Sequence, residues 1–184
     1  MIAVFSSSSP FVSVALLSLG GEPLGVESRE AARNADEVLP ELLDELKSRH
    51  TGAIERLVAD VGPGSFTGTR VGVAWVKAMG HALGLPVGSI AAWQLIEPVG
   101  VVAYPLKKGE WLIFRGGVME ISHDLPSEPF SGFGPGIENP IYPDASRCPV
   151  ADVQWTTPVE ILPIYAVGPS ISVPKKPFST GVSG

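Results

Sequence analysis

A glycine-rich turn that runs without interruption into a helical pattern, Val61 to Val87, constrains this chain more than any other stretch. Gly62-Pro63-Gly64 closes an apolar run, and Ser65 or Thr67 is placed to cap a helix by accepting from its free N–H groups. Gly62, Gly64, Ser65, Thr67 and Gly68 make a candidate phosphate-binding loop, because a glycine turn at a helix start aims several N–H groups at one point. It is not a Walker A loop, since no Gly-Lys-Ser/Thr follows at the required spacing. At about 100° per residue, Ala74, Ala78 and Ala82 stack with Val71, Trp75 and Met79. Gly68, Gly72, Val76 and Gly80 make a second small-residue row, and Arg70, Lys77 and His81 share a narrow strip. Glycine inside a helix costs roughly 1 kcal/mol relative to alanine, so close backbone approach explains Gly68, Gly72 and Gly80 better than helix stability does. A helix apolar over most of its circumference is covered on more than one side. Either the chain's own sheet and neighbours cover it, or one side meets another subunit.

The run G-P-G-S-F-T-G-T-R-V-G at 62–72, followed by Lys77, Gly80, Leu83, Gly84 and Pro86, resembles the TsaB/YeaZ family. These are the dimerisation subunits of the bacterial complex that makes threonylcarbamoyladenosine beside the tRNA anticodon. The resemblance extends from Met1 to about Ile96 and thins to fragments after Gly100. It implies an α/β, actin-like ATPase (ribonuclease H-like) fold.

The residues fit that expectation in order. Ile2 to Phe5, Phe11 to Leu19 and Pro23 to Ser28 read as strands, the last two joined at Gly20-Gly21. An amphipathic helix follows from about Asp36, as N-cap, to Arg49, with Leu39, Leu42, Leu43 and Leu46 on one face. Asp36, Glu37, Glu41, Asp44 and Glu45 against Lys47 and Arg49 leave it at 2 − 5 = −3, while the glycine helix carries +2 from Arg70 and Lys77. Opposed charges allow the two helices to pack together or to face a partner. Arg56 to Val61 and Leu85 to Ser89 read as further strands, and this strand–helix–strand spacing implies parallel pairing through crossover helices. From Pro98 onward stand 13 of the 18 prolines, which nearly excludes long helices there. A hairpin is expected over Trp111 to Arg115 and Val118 to His123, with Gly116-Gly117 as its turn, a loop over Gly132 to Pro143, and a closing strand over Glu160 to Tyr165. We therefore expect one complete N-terminal lobe (1–97), a reduced, mostly β C-terminal lobe (98–173) and a flexible tail (174–184).

Composition excludes several functions. A net charge of −6 argues against broad nucleic-acid binding by this chain alone. A single cysteine, Cys148, excludes an intramolecular disulfide and a cysteine-built metal site, which suits the cytoplasm. Met1 to Gly21 carries no charge, but it lacks a basic n-region and Ser6–Pro10 interrupts its apolar run, so no signal peptide is expected. His50, His81 and His123 show no zinc spacing, and Ser65 lies outside Gly-x-Ser-x-Gly. Lys107-Lys108 reads as a solvated turn. No metal site and no cofactor are expected.

In actin-like ATPases one aspartate follows the first strand and another opens the second lobe. The resemblance places these at Ser6 and near Tyr104, where no carboxylate stands, and a hydroxyl is a poor substitute ligand for Mg²⁺. It implies a non-catalytic scaffold that pairs with a catalytic threonylcarbamoyltransferase paralogue, or with a second copy when alone, and meets tRNA only through the complex. Leu39, Leu43, Leu46, Arg70, Val71, Ala74, Trp75, Lys77, Ala78 and His81 are then the candidate partner residues. Two other readings stand beside it: a nucleotide-binding enzyme using the Gly62–Arg70 loop, and a stand-alone homodimeric binding protein.

Overall fold

Alternation along the central strand sets the layers. A computed structural model describes residues 1–166 apart from 32, 98, 107 and 108. Strand β1, Ile2–Ser6, turns Ala3 and Phe5 to one face and Ile2 and Val4 to the other, all fully buried or nearly so. Both sides of the sheet must therefore be covered. Strand β2 (Phe11–Leu17) pairs antiparallel with β1, and β3 (Pro23–Glu30) antiparallel with β2. Helix α1 (Ala35–Arg49) crosses to β4 (Arg56–Asp60), parallel to β1. Helix α2 (Phe66–Leu83) then crosses to β5 (Val87–Ile90), parallel to β4. These crossovers are the ones the strand–helix spacing implies.

Both helices pack on the Ala3/Phe5 face. Val38, Leu39, Leu42, Leu43 and Leu46 of α1, with Val73 and Val76 of α2, bury against Val14, Leu16, Leu57 and Ala59. Among the described residues the opposite face is covered without any α-helix. A 3-10 turn at Ala92–Leu95 and two more at Ala145–Arg147 and Val150–Asp152 bring Leu95, Ala145, Cys148 and Val153 onto Ile2, Val4, Leu17 and Val58.

A second sheet follows. It is made of β6 (Val102–Pro105), β7 (Trp111–Arg115), β8 (Val118–Ser122) and β9 (Ser131–Gly132), in the order β8-β7-β6-β9. The β7–β8 hairpin turns at Gly116 and Gly117, with φ of 56° and 82°, the backbone sign that a two-residue hairpin turn of this kind requires. The last strand among the described residues, β10 (Gln154–Thr156), leaves this region and pairs antiparallel with β5, so the first sheet runs β10-β5-β4-β1-β2-β3.

Some boundaries differ from expectation. β2 stops at Leu17 because Ser18 N–H donates to the Glu22 carbonyl and closes the turn early. Helix α1 begins at Ala35, with Asn34 at the cap and Asp36 in its first turn, since the Glu37 and Val38 N–H groups both donate to the Asn34 carbonyl. β5 starts at Val87 rather than Leu85, because α2 ends in a left-handed Gly84 and Pro86 follows. Glu160 to Tyr165 is not a strand. The Glu160 carboxylate accepts from the Thr157 N–H and from the Thr156 and Thr157 hydroxyls, winding the chain into a turn, and Pro158 and Pro163 have no N–H to pair. The Lys107-Lys108 turn and the 174–184 tail lie outside the described residues. Among the described residues no helix is long and apolar enough to cross a membrane.

Candidate functional site: a sealed polar crevice beside an open helix face

Four consecutive serines, the last residue of β1 and the three after it, are all buried, at 0 to 4% exposure. The parallel register that sets Phe5 beside Ala59 brings Ser6 next to Asp60 at the end of β4. The Ser6 and Ser8 hydroxyls donate to Asp60 Oδ2 at 2.6 and 2.5 Å, and the Gly62 N–H donates to Oδ1 at 2.8 Å. Asp60 is 1% exposed. Burial pushes its carboxyl above the ordinary carboxylate range, and the serine hydroxyls and amide donors pull it part of the way back. Sequence reasoning missed this carboxylate. Its signal was an acid ending an apolar strand immediately before the glycine turn.

The glycine row of α2 faces this serine turn. A Cβ on Gly64 would stand 2.3 Å from the Ser8 carbonyl oxygen, on Gly68 2.0 Å from that of Ser7, and on Gly72 2.4 Å from Ser7 Oγ. The Ser65 N–H donates to the Ser8 carbonyl at 2.7 Å, and the Ser7 hydroxyl to the Gly68 carbonyl at 2.8 Å. This row therefore serves close approach within the chain. Ser65 caps α2 by accepting from the Gly68 N–H at 3.2 Å. The N–H groups of Gly62, Ser65 and Gly68 thus all have partners inside the chain. What the candidate phosphate loop keeps open is a cleft of about 230 Å³, lined on one side by Ser9, Ser65 and Thr67 and on the other by Arg33 and Asp36, which carry opposite charges.

Tyr104, on β6, seals the crevice from the second sheet. It is 1% exposed, its hydroxyl donates to the Pro63 carbonyl at 2.6 Å, and its ring stacks on Phe133 at 5.6 Å. Burial, and secondarily the Asp60 charge, push its phenol well above the ordinary tyrosine range. Ser6 and Tyr104, where the resemblance leads one to expect carboxylates, are thus a buried hydroxyl and a buried aromatic ring. Among the described residues no group of three His, Cys, Asp or Glu side chains is arranged to hold a metal ion.

The residues expected to meet a partner divide three ways. Leu39, Leu43 and Leu46 are buried in the chain's own core, so that part of the expected interface is corrected: a single amphipathic face already covered by β2, β3 and α2 offers nothing to a second protein. Val71, Trp75 and Lys77 are half-buried. Val71 and Trp75 pack on the same core, and Lys77 donates to the carbonyls of Val159 and Ile161 at 3.1 and 3.3 Å. Arg70, Ala74, Ala78 and His81 are exposed and form a ridge along α2. The Arg70 guanidinium lies 5.1 Å over the Phe66 ring, which itself packs on Tyr165. On α1, Arg29 bridges Glu41 and Glu45, and Arg49 pairs with Glu27, so part of the charge contrast between the helices is met within the chain. Being exposed, such pairs contribute little to stability.

Residues 20–96 match the family model of the tRNA N6-adenosine threonylcarbamoyltransferase TsaD. An uncharacterized protein of Mycobacterium leprae is 28% identical over 138 residues, covering 61% of this chain and 38% of that protein. One of Mycobacterium tuberculosis is 38% identical over 77 residues, covering 41% and 36%. The chain therefore spans little more than a third of the curated relatives it matches. Among solved structures, YeaZ from Pseudomonas aeruginosa superposes with a TM-score of 0.66 at 20% identity, over 89% of this chain and 98% of that one. A second structure, described as similar to the peptidase YeaZ from Pseudomonas aeruginosa, gives 0.68 at 17% identity over the same shares. The chain has the YeaZ fold, an α/β fold with two sheets.

Proposed function

We propose that this YeaZ-like chain is a scaffold subunit for forming threonylcarbamoyladenosine on tRNA. It pairs through the open face of α2 with the paralogue that carries the catalytic TsaD-type domain, or with a second copy when that paralogue is absent, and it meets tRNA only through the complex, in the cytoplasm. It does no chemistry of its own. The observation that carries this reading is the ridge. Ala74 and Ala78 are exposed one turn apart on a helix otherwise tied into the fold, and side chains this short let another helix approach closely. The sealed crevice supports the non-catalytic half of the reading, because Asp60 has its oxygens occupied by internal donors and Tyr104 fills the space beside it.

Two measurements test it. Ala74→Arg with Ala78→Arg adds only exposed side chains, so the fold is expected to hold while binding to the paralogue of the same genome weakens at least about 100-fold, roughly 3 kcal/mol. Reconstituted tRNA modification should fall with it. If association and modification both stay at wild-type levels, the ridge is not the interface. Calorimetry with ATP and Mg²⁺ addresses the nucleotide-binding alternative. No metal-dependent binding heat is expected, and a tight magnesium-dependent isotherm would overturn the scaffold reading in favour of an enzyme.

A further inference from the structure

Residues 157–165, after β10, form a strap along one side of α2. Lys77 holds the Val159 and Ile161 carbonyls, Ile161 is buried in the main core, the Ile164 N–H donates to the Val61 carbonyl at 2.6 Å, and the Tyr165 ring packs 5.1 Å from that of Phe66. A segment tied at four points has a fixed backbone direction. This one turns Val159 and Leu162 outward, 76% and 68% exposed. At 100° per residue Lys77 marks one border of the exposed ridge and Trp75 the other, so the ridge runs between the strap and the side of α2 that packs on the core.

We infer that the strap is a second wall of the partner seat, and that the helix docking on Ala74 and Ala78 also covers Val159 and Leu162. This rests on the scaffold reading and adds to it a contact outside the two helices. Charge selects the occupant. The ridge carries Arg70 and His81 and α2 has no acid, so the seated TsaD-type partner helix presents carboxylates to those two and aliphatic side chains to the strap. Exposed aliphatic side chains on a rigid backbone lose little freedom when covered, which favours binding by pre-organisation. Lys77 is a positioning residue in this scheme, since it holds the strap and does not itself face the partner.

The experiment uses the full chain and the TsaD-type paralogue from the same genome, with affinity read by interferometry and folding by thermal melts. Val159→Asp with Leu162→Asp is expected to leave the melt unchanged and weaken binding about 10- to 100-fold. Lys77→Met is expected to weaken it about 3- to 10-fold, with Lys77→Arg restoring the donor and most of the affinity. If the ridge variant loses binding while the strap variant binds like wild type, the strap inference is overturned and the scaffold reading stands. If neither variant loses binding, the scaffold reading falls and takes the strap with it. Loss in the strap variant alone overturns the joint seat.

Discussion

Gly68→Ala is expected to destabilise the fold by about 2–4 kcal/mol, although helix propensity alone favours alanine by roughly 1 kcal/mol. The added Cβ would stand 2.0 Å from the Ser7 carbonyl oxygen, and that atom is backbone. Relief requires moving the serine turn away from α2. That movement strains or breaks the bonds from Ser65 N–H to the Ser8 carbonyl and from the Ser7 hydroxyl to the Gly68 carbonyl, each contributing about 1 kcal/mol. For a chain of this size the melting temperature should drop by roughly 5–15 °C. Gly80→Ala is the control on the same helix. Its new Cβ would meet Val87 Cγ1 at 2.4 Å, the tip of a side chain, so it should cost less. A Gly68→Ala protein that melts at or above the wild-type temperature would refute the close approach.

Asp60→Ala is expected to be as damaging for a different reason. It strips the acceptor from three donors that have no water to turn to: the Ser6 and Ser8 hydroxyls and the Gly62 N–H. A buried donor left without a partner costs about 1–3 kcal/mol, so the total loss should reach at least about 3 kcal/mol, measured by urea unfolding. Asp60→Asn keeps the shape and one acceptor oxygen and should fall between the two. The Asn variant also exposes a pH effect. Burial raises the Asp60 carboxyl above the usual value of about 3.9. Between that value and the raised one, the folded chain holds a proton that the unfolded chain releases. The stability contributed is fully present below the lower value and is lost as pH rises through the raised one. The gap between wild type and Asp60→Asn should therefore narrow with rising pH across that window. A gap that widens would mean that the carboxyl is held below its usual range instead.

How much of this was legible in the sequence depends on how local the cause is. The start of α2 depends on neighbours a few residues away: a helix after the glycine turn was legible, and of the two caps the sequence offers, Ser65 and Thr67, the structure uses Ser65. The β7–β8 hairpin is local in the same sense, because Gly116-Gly117 sets both register and turn. The leucine period of α1 shows that those residues share a face. It does not show which body covers them, and so Leu39 and Leu46 looked as fit for a partner as for the core that holds them. The purpose of the glycine row depends on a serine turn some sixty positions earlier, which enters only through the pairing of β1 with β4. Asp60 was hidden by the same register. The β10 strand was illegible for want of length, since three residues, Gln154, Trp155 and Thr156, show no period at all.

That short strand bears on how the protein is made. Gln154 pairs with Ser89, and Val153 closes over Gly88, so one border of the first sheet is completed by residues that leave the ribosome long after the strand they join. Until they emerge, β5 waits with one flank bare and Cys148 and Val153 are missing from the layer over Ile2 and Val4. The nascent chain thus spends the interval between residues 90 and 156 with an open seam, during which a chaperone or a wrong strand finds its opening.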